Sequence, residues 1–359
     1  MRSLLVGATL LQASVILSQT KTDRATVNWG PELNERQAGD FRSLFGEDKE
    51  TVYMTMALKK DLFVQRMNGD LASLYNKPLL MQLGEKELAF EDLMVIGDRI
   101  IAFASFYDKR EDQNTLYMRM FDQASMTPQS DWTKTAQFTS ERRFSGGFGV
   151  EVSPDDKHIL VHVSLPYEKD TPEKFKLRMF DADMQEDWDR GIELPYSDGE
   201  FLFERFRVDN AGAVIVIGVK YAERREARER KRQGKAAYDY HLLTFTGTNN
   251  DNDHPLNVEG KFLQDMTVSL DDGKGDILCA GLYGNKGSYS VRGTFFLRLD
   301  PATMAIKHES YKEFTDDFIT QYMTEKEEKK ARAKADRKDE DLELFEYDLD
   351  ELVRRDDGG

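Results

Sequence analysis

The sequence carries a single cysteine, Cys279, in 359 residues. One thiol excludes an internal disulfide framework and any cysteine-based zinc site. It lies in the apolar run Asp276-Ile277-Leu278-Cys279-Ala280-Gly281, so a buried, inert thiol is expected. Positive charge is also in deficit: 50 Lys and Arg face 66 Asp and Glu, for a formal net charge of -16. Such a surface repels a phosphate backbone, so no nucleic-acid partner is expected. Beyond the first twenty residues no apolar run is long enough to span a bilayer, which takes about 20 residues. Catalytic signatures are missing as well. No Gly-x-Ser-x-Gly, phosphate loop, His-Glu-x-x-His or dinucleotide fingerprint occurs. No catalytic, cofactor or metal residue is assigned, and the sequence leans towards a non-enzymatic role.

What is present begins with an export signal. Arg2 supplies a positive start, Leu4 to Leu17 an apolar stretch interrupted by Gln12, and Ser18 a small residue before Gln19. Residues 1–18 are therefore read as a signal peptide and residues 19–50 as an N-terminal extension. No cysteine stands at the junction for a lipid anchor. The mature chain is expected to be exported, to the periplasm or the exterior.

From residue 51 to 359 the pattern is β, with apolar alternation in Thr51 to Leu58 and Asp61 to Arg66. One unit recurs: an Asp-rich turn, an apolar strand, a polar loop, a second strand, and an aspartate turn. It is clearest from Val152 to Trp188, where Ser153-Pro154-Asp155-Asp156 precedes His158 to Val163, and Phe175 to Phe180 precedes Asp181. Met120-Phe121-Asp122 matches Met179-Phe180-Asp181, and Trp132 matches Trp188. Phe121, Phe180, Phe245 and Leu299 are 59, 65 and 54 residues apart. Units of several short strands at about 50 residues are the mark of propeller blades. Stacked radially, such sheets bury faces that one sheet alone leaves wet. The fold class expected is all-β, a β-propeller of repeated antiparallel blades, incomplete at its C-terminus.

Two segments break the pattern with helix-forming, charged sequence, at about 222–237 and 322–340. They read as solvated helical insertions supported by i,i+4 pairs, without a stripe of large apolar residues. The first carries Arg224, Arg225, Arg228, Arg230, Lys231 and Arg232, with Glu223, Glu226 and Glu229 between them. On an acidic chain this is the candidate partner-binding surface, suited to an acidic partner such as an envelope protein, an anionic polysaccharide or lipid head groups; the alternative is a solvated helix whose glutamates offset the arginines.

Other candidates are weaker. Ser145-Gly146-Gly147-Phe148-Gly149 leads into a strand and lacks the helix N-terminus a phosphate cradle needs. His158 and His162 share a strand face without a carboxylate cluster, and read as structural. Asn249-Asn250-Asp251-Asn252-Asp253 has the alternating oxygens of a calcium loop, but His254 and Gly260 stand where glycine and glutamate are required. The chain closes on Asp356-Asp357-Gly358-Gly359, a hairpin signal with no strand after it, which reads as a blade broken off.

The Ser18-Gln19 junction, the Ser-Pro-Asp-Asp-Lys type of turn, Met-Phe-Asp followed by Trp, and the segment from Tyr347-Asp348-Leu349 to Gly359 together resemble the uncharacterised exported, WD40-like propeller proteins of Bacteroidetes. That resemblance implies further blades after Gly359 and supplies no catalytic motif. The function expected is an exported binding or scaffold protein of the cell envelope, recognising protein or glycan through propeller loops. The rival is a hydrolase of glycan or peptide with carboxylates at a central channel.

Overall fold

In the computed structural model of the protein, the aspartate turns of the sequence are hairpin turns built by one device. The carboxylate of Asp181 accepts the backbone N–H of Asp183 at 2.9 Å and of Gln185 at 2.8 Å. Asp300 does the same for Ala302 and Thr303, both at 3.0 Å, and Asp122 for Ser125 at 2.8 Å. Each turn then passes through a left-handed methionine: Met126, Met184 and Met304 have φ of 56°, 60° and 57°. That conformation costs a non-glycine residue about 1–2 kcal/mol. All three methionines are buried, and burial of so large a side chain offsets a cost of that size.

The structure describes residues 19–21, 26–28, 39–142, 145–256, 258, 261–270, 275–285, 290–338, 342–345 and 347–349. The expected signal peptide, Gly260 and the closing Asp356 to Gly359 lie outside them. Two short strands, β1 (Gln19–Lys21) and β2 (Thr26–Asn28), pair with each other. From there the chain runs through five four-stranded sheets among the described residues. The first has β3 (Asp40–Glu47), β4 (Thr51–Leu58), β5 (Asp61–Asn68) and β6 (Ser73–Pro78), in that order. It starts inside the stretch read as an N-terminal extension. A small hairpin of β7 (Gln82–Leu83) and β8 (Lys86–Glu87) leads to the second sheet. That sheet orders β9 (Ala89–Ile96), β10 (Arg99–Asp108), β11 (Gln113–Asp122) and β12 (Thr133–Thr139). The third holds β13 (Gly147–Val152), β14 (His158–Ser164), β15 (Pro172–Asp181) and β16 (Glu186–Ser197).

The fourth sheet has β17 (Phe201–Val208), β18 (Val214–Tyr221), β19 (Tyr238–Phe245) and β20 (Asn252–Leu256), with helix α1 (Arg224–Arg232) between β18 and β19. In the fifth, β21 (Phe262–Leu270) and β22 (Ile277–Gly284) are followed by β23 (Ser290–Val291), which leaves the sheet. The sheet resumes with β24 (Gly293–Leu299) and β25 (Ile306–Glu313). Helices α2 (Asp316–Thr320) and α3 (Glu325–Lys338) follow, and β26 (Leu344–Phe345) returns to pair with β23. No helix among the described residues is long and apolar enough to cross a membrane.

The repeating unit read from the sequence centres on the second and third strands of the second to fifth sheets. The second strands of these sheets are buried on both faces, while third strands such as β15 and β24 alternate. Val214-Ile215-Val216-Ile217 of β18 is buried throughout, which is why it reads as an unbroken apolar run. First strands alternate less cleanly, and the fourth strand of the fifth sheet, Ile306–Glu313, is wet, with charged residues guarding its open edge.

The chain divides into two compact units, residues 1–106 with 115–135, and residues 107–114 with 136–359. In the first, the sheets carrying Tyr53 and Val64 and those carrying Leu93, Ile100 and Phe121 share one core. In the second, Phe175, Leu177 and Met179 pack against Phe206, Val214 and Phe245, joining the third sheet to the fourth. The opposite face of the fourth, with Ile217 and Leu242, packs on Met266, Cys279 and Leu297 of the fifth. Each such buried side chain is worth about 1.5–3 kcal/mol. Helix α1 buries no residue. Helix α3 differs from its expected solvated state: Ala331 and Ala335 pack on a cluster of Leu282, Val291 and Ile319. Its contact is made by small residues, which a search for large apolar stripes passes over.

Two titratable groups give checkable consequences. Burial raises the Cys279 thiol to about 12. The native protein should therefore resist alkylation by iodoacetamide at pH 8 and react fully once unfolded in urea; native labelling would contradict the burial. Desolvation, with Asp198 alongside, raises Glu173 to about 7. A carboxyl raised on folding contributes stability that is complete below its unfolded pKa of about 4.3 and is lost as pH rises through about 7. Glu173→Gln should thus stabilise the protein at pH 8 and leave it unchanged at pH 5, read by thermal melts at both.

Candidate functional site

The first strand of four sheets carries the same defect at the same place. In β3, Phe41 pairs with Met56 and Ser43 with Thr55, so Arg42 is an extra residue. In β9, Phe90 pairs with Ala104 and Asp92 with Phe103, leaving Glu91 extra. In β17 the pairs are Phe203 with Gly218 and Arg205 with Ile217, and Glu204 is extra. In β21 they are Leu263 with Tyr283 and Asp265 with Leu282, and Gln264 is extra. Each is a β-bulge, a device that re-aims side chains and gathers beside functional sites.

The local sequences are Phe-Arg-Ser-Leu, Phe-Glu-Asp-Leu, Phe-Glu-Arg-Phe and Leu-Gln-Asp-Met. In each, two polar residues cross the defect between apolar neighbours, of which Leu93, Phe206, Leu263 and Met266 are buried while Phe41, Leu44 and Phe90 are exposed. The third sheet departs from the pattern, because β13 pairs with β14 without interruption. There Gly149 leaves room for the ring of His162, which stacks on Phe206 at 3.9 Å and 11°. Burial lowers His162 to about 4. It is a neutral, packed ring, as its sequence reading had it.

In the second unit, β17 touches both β13 and β21, which gathers polar groups along the first strands. Arg207 Nη1 donates to Glu151 Oε2 at 3.0 Å. Glu204 remains open to solvent, yet the protein packed around its carboxyl desolvates it, and the charge of Asp265 adds to the effect. Together they raise Glu204 to about 7. The Tyr240 hydroxyl lies 3.5 Å from Glu204 Oε1 and donates to the Gln264 carbonyl at 3.1 Å. Leu349 bridges the strands: its N–H donates to Asp265 Oδ2 at 2.5 Å, and its carbonyl accepts from Arg205 at 3.3 Å. Gln264 Nε2 is buried with no hydrogen-bond partner among the described residues. In the first unit the equivalent Glu91 accepts from the Ser105 hydroxyl, and desolvation raises its pKa.

None of these residues was singled out from the sequence. The signal was available in the recurring tetrapeptide, which lies one strand upstream of the repeat.

Helix α1 displays the basic cluster as two groups. Arg224, Arg225, Arg228, Lys231 and Arg232 are exposed and form no ion pair among the described residues. Arg230 is different. It donates to Glu226 at 2.8 Å and to Asp239 at 2.7 Å, which ties the helix to β19. The calcium-loop carboxylates are occupied by side chains. Asp251 takes a two-pronged bond from Arg190 at 2.8 and 2.7 Å. Asp253 bonds His241 Nδ1 at 2.6 Å and accepts from the Tyr196 hydroxyl. Among the described residues no group of three or more His, Cys, Asp or Glu is arranged to hold a metal.

No family model matches the chain, and no curated protein matches it. Solved structures do, at low identity. A protein of unknown function from Bacteroides caccae is 11% identical, with a TM-score of 0.33 over 74% of this chain and 71% of that one. An endo-arabinase from Bacteroides thetaiotaomicron is 11% identical, with a TM-score of 0.31 over 77% and 94%. Prolyl oligopeptidase B from Galerina marginata is 9% identical, with a TM-score of 0.43 over 81% of this chain and 36% of its own length. This chain thus spans about a third of that enzyme.

Proposed function

We propose that the chain is an exported, propeller-like hydrolase of glycans, in which Glu204 is the proton donor. One observation carries the reading: a bulge on the first strand of a sheet presents a solvent-reachable carboxyl raised to about 7, beside a second carboxylate. Cleavage of a glycosidic bond needs that pairing, an acid kept protonated near neutrality and an ionised partner. Glu204 would protonate the leaving oxygen. Water would attack the anomeric carbon as that C–O bond breaks, and Asp265 would take the proton of the water.

The test is release of reducing ends from a panel of neutral and acidic oligosaccharides between pH 4 and 9. Because the acid must carry its proton, the rate should fall tenfold per pH unit above about 7. No turnover on any glycan, or a rate that climbs through pH 8, would sink the reading.

A second reading has its own support, in the five exposed cations of α1 that form no ion pair among the described residues. They suit docking of an acidic envelope protein or polysaccharide, as a binding or scaffold protein would need. Replacing Arg224, Arg225, Arg228, Lys231 and Arg232 by glutamine should abolish salt-sensitive retention on an anionic polysaccharide column if this reading holds. Unchanged retention would remove it.

A further inference from the structure

Behind the C-terminal end of α1, the fourth and fifth sheets leave a cleft of about 520 Å³. Its volume lies within the range of small-molecule sites. One wall is apolar and aromatic: Tyr238, Tyr240, Phe262 and Leu256. Its polar rim holds Arg230, Lys235, Lys261 and the lone carboxylate of Asp239. Asp239 is taken by Arg230 at 2.7 Å, and among the described residues neither lysine has an ion-pair partner within the cleft. On a chain of net charge -16, this is a local inversion of sign.

Lys261 is positioned by its surroundings. Its Nζ lies 4.4 Å from the Tyr283 ring centre and 5.9 Å from that of Tyr311, and it meets Asn285 Oδ1 at 3.5 Å. Ring faces of this kind hold an ammonium in place without neutralising it. Lys235 is exposed and lines the same cleft. The phenols add no donors, since Tyr238 gives its proton to the Leu263 carbonyl at 2.7 Å and Tyr240 to that of Gln264. The cleft therefore offers cationic donors at its mouth and flat aromatic surface within.

We infer that this cleft binds a carboxylated sugar, a uronate unit, with its carboxylate between Lys261 and Lys235 and its ring against Tyr238. Inorganic phosphate is the competing anion, since lysines also bind phosphate as point charges; the aromatic wall, which a sugar ring can cover and a phosphate cannot, favours the uronate. A neutral sugar would leave both lysines unanswered. The inference stands apart from hydrolysis, because it concerns binding alone.

Equilibrium binding of glucuronate, galacturonate and glucose to the full chain tests it, followed by calorimetry at two salt concentrations. A uronate should bind at least tenfold more tightly than glucose and weaken as salt rises. Lys235→Met, on the exposed rim where folding is not at stake, should weaken the uronate about tenfold, the loss of one charge-assisted bond. Lys261→Met should weaken it at least as much. Equal affinity for glucose and uronate, binding of inorganic phosphate in preference to the uronate, or lysine variants that bind as the wild type does, would each overturn the site. Uronate binding without any glycan turnover would leave this inference intact while removing the hydrolase.

Discussion

Replacing Glu204 by glutamine should lower glycan hydrolysis by about 10²–10⁴-fold, the usual worth of a positioned general acid. The melting temperature should not fall. Glutamine has the shape of the protonated acid and keeps an acceptor 3.5 Å from the Tyr240 hydroxyl. It removes the proton, not the packing. Glu204→Asp should recover part of the rate, because the shorter acid still titrates but sits farther from the bond to be broken. A variant with full activity would assign the acid elsewhere, and Glu151 is tied to Arg207 at 3.0 Å, which makes it a poor substitute. The rate profile adds a second reading of the same group, since its fall above about pH 7 should vanish with the side chain.

The largest structural effect is expected at Gly281. In β22 this residue pairs with Met266, next to the bulge of β21. A Cβ added there would fall on the Asp265 carbonyl oxygen and within 2.7 Å of the Phe295 ring. Phe295 is buried, and the carbonyl belongs to backbone that cannot move without undoing the bulge. Gly281→Ala should cost about 3 kcal/mol or more, at the upper end of overpacking changes. Gly191→Ala is the control: nothing lies within 4 Å of its added Cβ and its φ is ordinary, so its stability should stay within about 0.5 kcal/mol of the wild type. Urea midpoints read both. A near-neutral Gly281→Ala would mean that the bulge is soft, and a soft bulge would not hold Asp265 beside Glu204.

What the sequence disclosed follows from where its information is local. An aspartate that caps its own turn needs only its next four residues, so Asp122, Asp181 and Asp300 announced themselves. Buried middle strands write continuous apolar runs, so β14, β18 and β22 could be paired into a repeat. Helix α1 was legible from composition alone. First strands were not, because half of each is wet and the bulge shifts the alternation by one residue at the point that matters.

The partnering of charges was hidden for another reason. Arg190 meets Asp251, and Arg230 meets Asp239, only after the chain has folded back on itself. Among six basic residues on one helix, nothing local marks Arg230 as the one that anchors. The same holds for Glu204, whose neighbours Tyr240 and Asp265 come from other strands.

The most direct measurement is the titration of Glu204 itself, by NMR of the carboxyl carbon in side-chain-labelled protein, assigned by comparison with Glu204→Gln. A midpoint at about 7 is the result expected from a carboxyl desolvated on a bulged strand beside Asp265. A midpoint at about 4.3, the value of a free glutamate, would show an ordinary surface acid and contradict the proposed proton donor.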